Sequence, residues 1–247
     1  MIYAIIVGRK NSKGFPGKNK YKIFNHPLTF YPIKTAQHCQ KIDKIFLSSD
    51  DPELLAIATN MGVDVINRPA EFAQDSTPCE VAYHHAYKAI IQNHQVPDFV
   101  VTMMCNAVTV SVDAINEGIA LLENNANFDS ATTVSQYNMF NPTRARKIGP
   151  DGNLVPFVDL SYFSKNGNVV QDRDHYETYF ADMGCSVVRP HCLLDYENSL
   201  PPQKWLGKTI APIVQKYGFD VDHEADIPAA KWWLQNYWDV KDILLHE

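Results

Sequence analysis

Through the first 135 residues, short continuous apolar runs alternate with stretches of helical periodicity. IYAIIV (2–7) reads as a buried strand, since its apolar character is unbroken and rich in β-branched residues. KIFLSSD (44–50), VDVI (63–66), DFVVTMM (98–104) and FDSATTV (128–134) read as further strands. Between them, PLTFYPIKTAQHCQ (27–40) carries a helical period interrupted by Pro32, and PELLAIATNMG (52–62) has Pro at a helix start and Gly at its end. Helical patterns also span 77–94 and VDAINEGIALLENN (112–125). This alternation predicts right-handed crossovers and a mainly parallel sheet covered on both faces, a three-layer, Rossmann-like α/β fold. Ligands of such sheets sit beyond the carboxyl ends of the strands.

The alternation breaks near residue 138. KIGPDGNLVPFV (147–158) has a PDG turn between two extended runs and predicts a hairpin. The stretch at about 138–182 is therefore expected to project from the sheet as an arm that includes Arg144 and Arg173. KYGFDVDHEAD (216–226) reads as strand-like, and IPAAKWWLQNYWDVKDILLHE (227–247) as a docked helix whose Trp232 and Trp233 serve the core or a partner surface. No repeat or Ser/Gly-rich linker divides residues 1–247, so one domain with an arm is expected.

Composition narrows the function. With 45% hydrophobic and 20% charged positions in 247 residues, the chain can bury a full core. A net charge of −6 argues against a broad basic face for nucleic acid or an anionic membrane. Five cysteines, without a CxxC pair, fit a reducing compartment better than a disulfide framework or a structural zinc site. No secretory pattern and no run of eighteen apolar residues is present, so a cytoplasmic location is expected.

Positive charge is instead concentrated in GRKNSKGFPGKN (8–19), where Arg9, Lys10, Lys13 and Lys18 follow the first strand together with three glycines. At a carboxyl edge, glycines admit close backbone approach and amides can face an anion. Four cations suit a polyphosphate; a basic solvated turn is the alternative. The loop is not a Walker A sequence, because Asn19 follows Lys18 and Ser12 stands where that motif begins with Gly. His84 and His85 match no HExxH spacing, and no triad can be assembled around Ser12. Asp50 is expected to cap the helix that starts at Pro52.

RKNSKGFPGKN (9–19) resembles the signature loop of the acylneuraminate cytidylyltransferase family, which activates sialic acid and related acid sugars as CMP derivatives. The family pattern Arg-x-x-Ser-Lys-Gly-hydrophobic-Pro-x-Lys-Asn is met at each fixed position. LSSDDPELLAIATNMGVDVINRPAEFAQDST (47–77) is similar to the family's strand, helix and Arg-Pro-x-x-hydrophobic-x-x-Asp segment at Arg68, Pro69 and Asp75. FDVDHEADIPAA (219–230) resembles its Asp-x-Asp segment.

The resemblance implies a nucleotidyltransferase fold with a homodimer formed through the arm, and transfer of CMP from CTP to a hydroxyl of an acidic sugar with release of pyrophosphate. It implies that Arg9, Asn11, Ser12, Lys13 and Lys18 hold the triphosphate, with Arg9 and Lys18 nearest the leaving group. Arg68 would lie by the cytosine, though a surface ion pair is its plainer reading, and Thr77 would complete the nucleotide site. Asp220 and Asp222, two apart and expected on one face of a strand, suit Mg²⁺, which takes few carboxylates beside nucleotide phosphates. Asp222 is also a catalytic candidate, whereas Asp226 reads as a helix cap. Arg144 and Arg173 would meet the acceptor.

The chain departs from the family where the acceptor binds. MMCNAVTVS (103–111) replaces the usual Leu-Gln-Pro-Thr-Ser-Pro-Leu-Arg, with Cys105 and Ser111 in place of Gln and Arg, and Ala181–Gly184 replaces Arg-Pro-Asn-Gly. Nucleotide recognition is therefore expected to be retained and acceptor recognition altered, with N-acetylneuraminate a poor acceptor. A glycosyltransferase using the DxD at 220–222 and a non-catalytic nucleotide-binding relative remain as alternatives.

Overall fold

Strand β1 (Ile2–Val7) is buried along its whole length, and its alternate side chains feed two cores. Ile2, Ala4 and Ile6 enter one; Tyr3, Ile5 and Val7 enter the other, as the two-residue period of a strand requires. A computed structural model, describing residues 1–164 and 177–245, sets β1 within a seven-stranded sheet. After it come the minimal hairpin β2 (Lys22–Ile23) and β3 (His26–Pro27), then β4 (Lys44–Ser49), β5 (Asp64–Asn67), β6 (Phe99–Met104) and β7 (Ser130–Gln136). The hairpin β8 (Arg146–Ile148) and β9 (Leu154–Pro156) precedes β10 (Tyr179–Val188) and β11 (Ile210–Gln215). The sheet order is β11-β7-β10-β6-β1-β4-β5. Every neighbouring pair is parallel except those of β10, which runs against both β6 and β7.

The described residues form six α-helices: α1 (Phe30–His38), α2 (Pro52–Asn60), α3 (Cys79–Ile91), α4 (Val112–Asn124), α5 (Pro190–Leu194) and α6 (Ile227–Asn236), the last packed in a separate cluster with α1 and the β2–β3 hairpin. One face of the sheet is covered by α1, α2 and α4 through Ile33, Leu54, Ala58, Ile115 and Ile119. The other is covered by α3 and α5 through Ala82, Tyr83, Tyr87 and Leu193. These are the three layers that the alternation predicts.

Three local expectations need correction, and a fourth holds for one of two residues. The hairpin at 146–156 is present, but residues 179–182 belong to the sheet and not to the arm, with Tyr179 to Ala181 paired to β7. The last long helix stops at Asn236, where the chain turns so that Trp238 is fully buried against Tyr31 and donates its Nε1–H to Thr35. The adjacent tryptophans divide, with Trp233 in the core and Trp232 exposed. Helix α2 is capped by Asp51, whose Oδ1 accepts from the Glu53 amide at 3.0 Å, because Asp50 is turned to the Lys10 amide at 2.9 Å.

Candidate functional site

Residues at or just beyond the carboxyl ends of β1, β5 and β6, with Met183 of β10 and the segment after β11, line a cavity of about 510 Å³. The loop after β1 forms one wall. Gly17 adopts a φ of 73°, a left-handed conformation that is costly for residues with a Cβ, and starts the 3₁₀ turn Lys18–Lys20. The buried Asn19 closes the loop on itself by donating Nδ2–H to the Arg9 carbonyl at 3.1 Å. The fold thereby presents Arg9, Ser12, Lys13 and Lys18 to the cavity. Arg9 pairs with Asp75 at 2.9 Å and donates to the Gln74 carbonyl, while Lys13 reaches the other Asp75 oxygen at 3.2 Å.

The facing wall is the segment after β11. Residues 216–222 form no strand, contrary to the sequence reading, because the ladder ends at Gln215. Side chains of other elements serve their backbone instead. Thr109 Oγ1 accepts from the Phe219 amide and donates to its carbonyl, at 2.8 and 2.6 Å. Asn106 donates to both Asp220 Oδ2 and the Val221 carbonyl at 3.0 Å, and its own carbonyl accepts from the Val221 amide. Val221 is fully buried, an anchor of about 1.5–3 kcal/mol, and the aspartates on either side of it both line the cavity. Asp226 accepts from the amides of Asp222 and His223, the capping role that the sequence suggests.

Burial, and then the charge of Asp222, raise the Asp220 carboxyl above its ordinary range, against opposing effects of Lys18 and Asn106. Two hard carboxylates, one destabilised as an anion by its surroundings, form a donor set that fits a divalent cation. Lys18 Nζ lies 2.5 Å from Asp222 Oδ1, joining the two walls.

Arg68 occupies the interior of the cavity with 4% exposure, so the surface ion pair foreseen as its plainer role does not apply. Its Nη2 donates to the Gly8 carbonyl at 2.5 Å and stands 3.9 Å from Asp50. Burial lowers its pKa, partly offset by Asp50, and its Nε–H has no protein partner among the described residues. A buried guanidinium with a free donor suits a ligand rich in acceptors.

Thr77 lines the same cavity, and Asn11 lines an adjoining shallow depression with Lys13, Gln74 and Asp75. Arg144 is exposed on a 3₁₀ turn outside the cavity lining, and Arg173 lies outside the described residues. Cys105, expected in a ligand-facing loop, is fully buried and its thiol is pushed up to about 11. Ser111 caps α4 by accepting from the Ala114 amide, and Ala181 lies in β10. The 103–111 loop thus supports the aspartate segment from beneath. Asn106 is the functional side chain that the sequence reading missed. Its sole trace is an amide after an apolar strand, and its partners are more than a hundred residues away.

A family model described as Cytidylyltransferase matches residues 3–148. The chain is 28% identical over 137 residues to a Helicobacter pylori protein named pseudaminic acid cytidylyltransferase and UDP-2,4-diacetamido-2,4,6-trideoxy-beta-L-altropyranose hydrolase, a match that covers 55% of this chain and 26% of that one. It is 27% identical over 169 residues to the N-acylneuraminate cytidylyltransferase of Escherichia coli O18:K1:H7, covering 68% of this chain and 39% of that one. The chain thus spans well under half the length of these two relatives. A solved structure of CMP:2-keto-3-deoxy-manno-octonic acid synthetase complexed with CTP superposes with a TM-score of 0.68 at 12% identity, over 95% of this chain and 98% of that one. At such identity the likeness establishes the fold.

Proposed function

Because the chain belongs to the cytidylyltransferase family, we propose that it is an enzyme that transfers CMP from CTP to a hydroxyl of an acidic, nonulosonate-like sugar. One observation carries this reading: a cavity at the strand ends has the basic loop on one side, two aspartates on the other and a buried Arg68 within. In the reaction, the acceptor oxygen bonds to the α-phosphorus, the bond to the β-phosphate bridging oxygen breaks, and the hydroxyl proton leaves to solvent. Charge that grows on the departing pyrophosphate is met by Arg9 and Lys18, with Ser12, Lys13 and Asn11 along the phosphates. Arg68 would meet the acceptors of the cytosine with its guanidinium, beside Thr77. Asp220 and Asp222 would hold Mg²⁺, which would neutralise phosphate charge.

The acceptor is read as an acid sugar other than N-acetylneuraminate. Neither Cys105, Ser111 nor Ala181 brings a planar donor to the cavity, and Met104 and Met183 line it with apolar surface. Arg144 would reach an acceptor only from the arm, a role for which Arg173 is also a candidate. Homodimerisation through that arm is supported by Ile148 and Leu154, exposed on the hairpin at 77% and 72%. Replacing both by Asp is expected to yield monomers in sedimentation; an unchanged assembly would reject the arm as the interface. The free cysteines are compatible with a cytoplasmic setting, and no helix among the described residues is long and apolar enough to cross a membrane.

The deciding experiment is pyrophosphate release with CTP, Mg²⁺ and a panel of acid sugars that includes N-acetylneuraminate, pseudaminate-type and octulosonate compounds. Release with at least one sugar and a lower kcat/KM for N-acetylneuraminate are expected. No release with any sugar would favour a non-catalytic nucleotide-binding role, and preference for N-acetylneuraminate would reject the acceptor reading.

A further inference from the structure

We propose that Asp182 is a positioning residue whose two carboxylate oxygens tie together two neighbouring parts of the cavity wall, one the strand bulge bearing Met183 and the other the segment bearing Asp220 and Asp222. The proposal rests on the reading of those two aspartates as metal ligands.

Strand β10 loses its register against β7 between Ala181 and Ser186, and within that bulge Met183 adopts a φ of 62°. Such a conformation in a residue with a long side chain persists where its surroundings enforce it. Here Asp182 Oδ1 accepts from the Gly184 amide at 3.1 Å, spanning Met183 and directing it to the cavity lining. The second oxygen faces the opposite way. Asp182 Oδ2 accepts from Ser135 Oγ at 2.7 Å and from Gln215 Nε2 at 3.0 Å. Ser135 Oγ in turn accepts from the Gly218 amide at 2.8 Å, and Gln215 Nε2 also donates to the Thr109 carbonyl at 3.1 Å.

Gly218 leaves the space that this carboxylate occupies, since a Cβ there would stand 2.4 Å from Asp182 Oδ2. The anion therefore rests directly on the backbone two residues before Asp220. From Asp182 the chain of contacts runs through Ser135 to Gly218 and through Gln215 to Thr109, which holds Phe219. Asp182 is 5% exposed, and each protein group bonded to it is a donor.

An Asn at this position therefore cannot fit in either orientation. Its amide would oppose the Gly184 N–H, or it would oppose Gln215 Nε2, which cannot turn away without aiming its oxygen at the Thr109 carbonyl. Asp182→Asn nearly preserves shape while misaligning the segment that follows.

The test uses the full chain with Mn²⁺ as the probe, its binding read by electron paramagnetic resonance with CTP present, and melting measured on the same samples. Wild type, Asp182→Asn and Asp222→Asn are compared. Asp182→Asn is expected to weaken Mn²⁺ about tenfold, the scale of partners that orient metal ligands, and Asp222→Asn to weaken it more. If Asp182→Asn only lowers the melting temperature, with Mn²⁺ affinity within twofold of wild type while Asp222→Asn loses binding, Asp182 is merely structural and the proposal fails alone. Unchanged Mn²⁺ binding in Asp222→Asn would overturn the metal reading, and this proposal with it. Should Asp182→Asn not fold, Ser135→Ala removes the link to Gly218; a several-fold loss of Mn²⁺ affinity supports the proposal, and unchanged affinity rejects it.

Discussion

Loop 8–19 and segment 218–223 face one another across the cavity, yet their backbones are held by different means. The loop's second half is closed by its own residues: Gly17 turns it, Asn19 bonds back to Arg9, and the 3₁₀ turn closes on Gly17 and Lys18 carbonyls, while the first half is tied at Gly8 and Lys10 to Ser48, Arg68 and Asp50. The aspartate segment takes its partners from Asn106, Thr109, Ser135 and, through them, Asp182. A wall written in consecutive residues can lose a functional side chain and keep its shape. A wall assembled from remote side chains couples its aspartates to the packing of the sheet beneath.

The largest expected effect tests the first half of that contrast. Lys18→Ala should lower turnover roughly 10²-fold, the scale of a lost electrostatic contact to a transition state, while the melting temperature stays near wild type. A loss of about threefold or less would remove Lys18 from the mechanism, and a large drop in melting temperature would show the second half of the loop to be less self-contained than its hydrogen bonds indicate.

Asp220→Asn tests the second half through stability. Because burial and Asp222 raise the folded pKa of Asp220, the folded state binds its proton more tightly than the unfolded chain does. The stability associated with protonated Asp220 is full below the ordinary carboxylate pKa of about 3.9. It is lost as pH rises through the raised folded value. Asp220→Asn should therefore melt higher than wild type at neutral pH, with the difference closing as pH falls from the raised folded value to about 3.9, while metal-dependent turnover is lost. Paired thermal scans at pH 7 and in acid check the sign, and a lower melting temperature at neutral pH would reject this account. The smallest effect belongs to Gly17→Ala, where a Cβ at positive φ should cost about 1 kcal/mol and a few degrees in a thermal scan.

The same contrast decides what was legible in the sequence. Strand–helix alternation conveyed the layers because each buried strand is a local apolar run, and loop 8–19 was readable because its function and its turn lie in neighbouring residues. Strands β10 and β11 carry no such local signal. The first is broken by Asp182, Met183 and Gly184 at its bulge, and the second carries Pro212 in an edge strand, where a missing amide is tolerated. Segment 216–222 reads as a strand because Val221 is buried between two polar residues, a pattern that Asn106 and Thr109 support without any ladder. Likewise, Cys105 and Val110 look like members of a ligand loop until the fold buries them both. No local pattern reveals contacts spanning 80 to 115 residues.

Under the proposed function, the ion pairs at the cavity also bear on how an anionic nucleotide would first arrive. Arg9, Lys13 and Lys18 are balanced nearby by Asp75, Asp220 and Asp222, so their fields largely cancel beyond a Debye length of about 8–10 Å. Long-range steering is then weak, and capture becomes an exchange of partners at short range in which phosphates displace Asp75 from Arg9 and Lys13. The association rate should accordingly vary little with ionic strength, which stopped-flow measurements at two salt concentrations would check.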